Sequence, residues 1–90
     1  MKIMDDVERA RELIGAMDHP EWLVRITVEK ILDLEDEPAI RVKAVMRRGF
    51  RLDPNSRAEH HERIHHCLDS AGIAFFPYMR YVGEGEPGAV

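Results

Sequence analysis

The chain has one cysteine, one tryptophan, and nothing near the run of roughly 18 apolar residues that a membrane-spanning helix requires. A lone Cys67 cannot close an internal disulfide, which excludes a disulfide scaffold and a cysteine-based structural zinc site. The opening MKIMDDVERAR meets acid before an apolar stretch can form, so a secretory leader is not expected. No phosphate loop and no G-x-G-x-x-G fingerprint occurs. A large excess of either charge is also missing: 13 Lys and Arg stand against 17 Asp and Glu, a formal net charge of −4. That balance argues against a DNA-wrapping or membrane-surface protein, and a cytoplasmic setting without membrane contact is expected. What remains is 90 residues, 44% hydrophobic and 33% charged, enough for one core. A single α+β domain is expected over residues 1–82, with 83–90, GEGEPGAV, as a flexible C-terminal tail.

Hydrophobic periodicity places the elements. Ile3, Val7, Ala10, Ile14 and Met17 recur at helical steps with Leu13 beside them, and Asp5 with Glu8 supplies an N-cap. Pro20 ends that helix by about Asp18. From Trp22 the period becomes two: Trp22, Val24, Ile26 and Val28 face one way, Arg25, Thr27 and Glu29 the other. Lys30 and Ile31 reverse the alternation, which predicts a bulge or the end of pairing there. After the acidic turn Asp33 to Pro38, a second run sets Ile40, Val42, Ala44 and Met46 against Arg41, Lys43, Val45 and Arg47, completing a hairpin. Ser56 and Glu59 form a capping box, predicting a second helix from about Arg57 to Ala71, with Gly72 left-handed and Ile73 closing the last turn. Its inner stripe reads Ala58, His61, Ile64, His65, Leu68 and Ala71, with His60 and His66 facing water. Ala74 to Val82 reads as a third strand, and Pro77 confines it to a sheet edge or a bulge. Trp22, Met46, Phe75, Phe76 and Met79 read as core. The predicted fold is therefore a two-layer α-β-β-α-β sandwich: a three-stranded, mostly antiparallel sheet with two helices on one face and the other face open.

Two features carry candidate chemistry. Residues 59–67 hold four of the five histidines, and His61-Glu62-Arg63-Ile64-His65 satisfies H-E-x-x-H. In zinc hydrolases of that pattern two imidazoles one turn apart hold the metal and the Glu activates its water. Here Arg63 puts a cation beside the proposed metal, and third ligands are confined to Asp69 on the same helix or Glu84 and Glu86 in the tail. A segment so rich in His and Glu produces the match by composition, so catalysis is not expected. His61 and His65 remain candidates to hold Zn or Ni weakly, without a dedicated cofactor. The histidines also offer a response to mild acid.

The second feature is charge segregation. Residues 1–37 carry 11 acidic and 5 basic side chains, residues 38–82 carry 8 basic and 4 acidic. Arg25, Arg41, Lys43, Arg47 and Arg80 fall on or near one face of the strands and form the candidate interaction or anion-binding surface. The function expected is a small non-enzymatic regulatory or protein-interaction module, self-associating as a homodimer through its open sheet face or edge strand. The alternative is a binder of RNA or another polyanion through the basic hairpin, and the next a metal-binding protein.

Overall fold

The computed structural model describes residues 5–89 and has α1 (Asp6–Ala16), β1 (Leu23–Leu32), β2 (Pro38–Met46), α2 (Pro54–Ser70) and β3 (Pro77–Gly83). This is an α+β fold in the expected element order. Ile3 lies outside the described residues.

The sheet order is β1-β2-β3. β1 and β2 are an antiparallel hairpin, but β3 lies parallel to β2. The sheet is thus mixed, which corrects the expectation of a mostly antiparallel one. Helix length explains the difference. α2 has 17 residues, about 25 Å at 1.5 Å per residue, and carries the chain back along the 9-residue β2, so that Pro77 starts beside Ile40. Ala74 to Phe76 belong to the approach rather than the strand.

One buried cluster joins Ala10 and Ile14 of α1, Ile64 and Leu68 of α2, Ile73, and Val28, Ile40 and Val42 of the strands. Both helices therefore bury their apolar stripes against the same sheet residues. Two arginines stitch them down: Arg9 donates to the Ala71 carbonyl at the end of α2 (2.9 Å), and Arg11 to the Val28 carbonyl (3.1 Å).

The caps decide where helices begin and end. Asp5 accepts from the Glu8 amide at 2.8 Å, as expected. For α2, Asp53 is the cap, accepting from the amide and hydroxyl of Ser56 (2.8 and 3.0 Å), and Pro54 occupies the first turn. The expected capping box at Ser56 is thus one turn too late. Those bonds hold the Asp53 carboxyl below its ordinary pKa. Gly72 is left-handed at φ 73° and the Ile73 amide returns to the Leu68 carbonyl (3.0 Å), the expected ending.

The strand register carries two further corrections. Pairing runs unbroken from Arg25 to Leu32, so Lys30 and Ile31 simply keep alternating. The irregularity falls instead between Leu23 and Arg25, and it turns Val24 out, 50% exposed rather than buried.

Residues 84–89 do not trail away from the domain. They fold back over the sheet face opposite the helices, where Ala89 is buried with Val45 and Val82. The expected free tail is a strap, and the expected open face is covered along this strip.

Candidate functional site

The sequence singles out the histidines of α2, and the structure sorts them differently. His60 is the buried one, 2% exposed, because positions 60, 64 and 68 form one stripe that faces the core. His61 is half-buried, while His65 and His66 are exposed. The expectation that His60 faces water is therefore overturned.

His60 sits in a chain of hydrogen bonds whose direction is fixed by its far end. The Ile14 carbonyl can only accept, so Nε2 of His19 donates to it (2.7 Å). In neutral His19 that leaves Nδ1 as an acceptor for the Nε2–H of His60 (3.2 Å). Nδ1 of His60 then accepts the hydroxyl proton of Tyr81 (2.8 Å). Trp22 packs edge-on to the His60 ring at 5.4 Å and stacks on Phe50 at 5.2 Å. Burial, followed by the neighbouring His19, Arg63 and His61, lowers the His60 pKa to about 4. Burial raises that of Tyr81 to about 12, opposed by the Arg57 guanidinium, which lies 5.4 Å over its ring. Every ring nitrogen of His19 and His60 is committed, so this network fastens the end of α1, the first half of α2 and β3 together. Replacing Tyr81 with Phe is expected to cost about 1–2 kcal/mol, read as a lower urea midpoint, because His60 keeps a buried acceptor without a donor.

His61 and His65 both flank the exposed Phe76 ring, with ring centroids 6.2 and 6.0 Å away. Among the described residues no group of three His, Cys, Asp or Glu is arranged to hold a metal ion. Glu84 follows β3 directly, its amide bonded to the Met46 carbonyl. The pair is thus placed on one helix face beside an aromatic ring. Phe76, expected in the core, is half-exposed there and packs on Tyr78 at 4.8 Å.

Phe76 and Tyr78 belong to a groove of about 460 Å³ between the first half of α2 and β3, lined also by Leu52, Arg57, His61 and Met79. Among the described residues no carboxylate lines it. Its β3 wall is a strand edge, since among the described residues only β2 pairs with β3. Two bonds fix which peptide groups face outward: the Ile40 amide donates to the Phe76 carbonyl (3.3 Å) and the Glu84 amide to the Met46 carbonyl (2.8 Å). In a parallel ladder of this register the even-numbered residues of β3 bond to β2, and Met79 and Tyr81 turn N–H and C=O away from the sheet. Sequence reasoning marks an edge at Pro77 but misses the groove, whose signal is the run Phe76-Pro77-Tyr78 ahead of a strand. A proline scan tests this phase. Arg80→Pro, which removes a donor to β2, is expected to cost about 3 kcal/mol or more, and Met79→Pro markedly less, by urea denaturation.

The basic residues divide between two settings. Arg41 pairs with Glu29 across the strands (3.0 Å), and Arg47 approaches Glu21 (4.0 Å) while lying 5.9 Å over the Phe50 ring. Arg25 donates to the Ala89 carbonyl, and Lys43 to that of Gly88 (2.8 Å). Arg80 and Arg48 close on the strap at its glycines: a Cβ on Gly88 would meet Arg80 Nη2 at 2.9 Å, and one on Gly85 would meet Arg48 Nη2 at 2.6 Å. By register Arg25, Arg41, Lys43 and Arg80 share the outer sheet face, in two settings. Arg25, Lys43 and Arg80 converge under the strap, and Arg41 and Arg47 lie beside acids.

No family model, curated protein or solved structure matches the chain. Among the described residues no helix is long and apolar enough to cross a membrane.

Proposed function

We propose that this protein is a non-enzymatic protein-binding module that accepts an extended segment of a partner along the edge of β3, beside α2. The observation that carries this reading is the coincidence of outward peptide groups at Met79 and Tyr81 with an apolar groove free of carboxylates. An added strand gains main-chain hydrogen bonds from the edge, and its alternate side chains enter the groove, which is how strand addition combines affinity with selectivity. Charge complementarity defines the partner: among the described residues the only formally charged side chain lining the groove is Arg57, so a segment alternating apolar with acidic residues fits best. The commitment of the ring nitrogens of buried His60 and half-buried His19 to structural hydrogen bonds supports a non-catalytic role.

Peptide display against the wild-type protein, with counter-selection on Met79→Pro, tests the reading. Enriched peptides should alternate apolar and acidic residues and weaken by about tenfold or more in both Met79→Pro and Arg57→Glu. Failure to enrich any peptide over the Met79→Pro control would contradict it. Light scattering is the companion measurement. A concentration-dependent dimer abolished by Met79→Pro would make a second copy of the chain the occupant of this edge.

A further inference from the structure

The strap rests on an unusual set of neighbours. Four cations from all three strands and the turn beyond β2 reach toward six residues: Arg25, Lys43, Arg48 and Arg80. Within the described residues Arg25, Arg48 and Arg80 have no carboxylate partner. Arg25 and Lys43 donate to backbone carbonyls of the strap, which carry only partial charge. The three arginines are covered but not neutralised by these contacts. Close approach depends on Gly85 and Gly88, both at positive φ (91° and 92°), where a side chain would strain the backbone and strike a guanidinium. One small apolar anchor, Ala89 on Val45 and Val82, holds the far end.

We propose that this sheet face is a binding site for the backbone of single-stranded RNA, and that residues 84–89 are its displaceable cover. Phosphate oxygens bear full charge and make shorter, stronger bonds to guanidinium and ammonium groups than carbonyls do. The register adds a second element of recognition. Arg41 stands opposite Tyr78 and Lys43 opposite Arg80, so the half-exposed Tyr78 ring flanks the cationic strip on the outer face and can stack on a base. The strap competes from within the same chain, so the intact protein binds weakly until the strap lifts. The site lies on the sheet face remote from the helices and shares the Tyr78 ring with the peptide groove.

The test uses the full chain and fluorescence anisotropy with a short labelled oligouridine, in low and high salt. Gly85→Ala/Gly88→Ala, which makes the strap collide with Arg48 and Arg80, should tighten binding about tenfold, with an affinity that falls steeply as salt rises. Ala89→Asp, which removes only the apolar anchor, should act in the same direction and serves if the glycine variant folds poorly. Arg25→Glu/Arg80→Glu should remove the gained affinity in either background. No gain from loosening the strap, or gained affinity that survives the arginine reversals, overturns the proposal. Competition by polyglutamate as effective as by unlabelled oligouridine also overturns it, because the face would then be reading charge alone.

Discussion

Replacing His60 with alanine is expected to lower the unfolding free energy by about 4 kcal/mol, the largest cost at any member of its hydrogen-bond network. Two costs combine. The ring fills space among His19, Trp22 and Tyr81, with centroids 5.4 to 5.7 Å away, and a buried void of that kind costs about 2–4 kcal/mol. Its removal also leaves the Tyr81 hydroxyl and Nδ1 of His19 without their buried partner, at about 1–3 kcal/mol for each group that water cannot reach. Together these span about 4–10 kcal/mol, and a site that partly collapses or admits water brings the sum to the low end. Alanine at the exposed His65 or His66 should change stability by no more than about 0.5 kcal/mol. Urea denaturation of the three variants makes the comparison, and a His60→Ala cost below that of Tyr81→Phe would contradict the hydrogen-bond assignment.

Acid should expose the same residue by a different route. In the folded protein His60 has a pKa of about 4, against 6.5 for a solvated histidine. The unfolded chain therefore binds the extra proton first as pH falls, and its population gains. The stability from keeping this imidazole neutral is complete above pH 6.5, declines between 6.5 and about 4, and is absent below. The shift corresponds to about 3 kcal/mol at about 1.4 kcal/mol per pKa unit. For a domain whose whole stability is on the order of 5–15 kcal/mol, that is a large fraction. Carboxylates also titrate toward the lower end of this range, so the informative quantity is a difference. Wild type should lose about 3 kcal/mol more than His60→Gln between about pH 7.5 and 4. Equal losses would place His60 in water.

Much of the architecture is legible in the residues. Asp5 with Glu8, the apolar step from Ala10 to Ile14, the inner register Ile40-Val42-Ala44, and the Gly72-Ile73 ending all stand where spacing puts them. The failures have particular physical causes. Two helix-start signals lie three residues apart, Asp53-Pro54 and Ser56 with Glu59. The upstream one wins because Pro54 needs no partner for a missing N–H, and it fixes φ for the first turn. Polarity alone assigns His60 to solvent, although its spacing to Ile64 and Leu68 is that of the core stripe. The interior accepts an imidazole when both nitrogens are satisfied, and His19 and Tyr81 come from distant parts of the chain that spacing cannot bring together. The parallel β3 is readable from helix length, since a helix about as long as a strand returns the chain to that strand's starting end. Composition hides the strap. Glycine and glutamate signal solvent, while a glycine that lets a backbone pass close over arginine does so through the absence of a side chain.

Hydrogen exchange at the β3 amides tests the exposed-edge claim most directly. In the free protein, Met79 and Tyr81 should exchange much faster than Arg80 and Val82. A peptide selected on the groove should then slow Met79 and Tyr81 by about tenfold or more, leaving Arg80 and Val82 nearly unchanged. Protection of Met79 and Tyr81 before any peptide is added, or no slowing after saturation, would contradict strand addition at this edge.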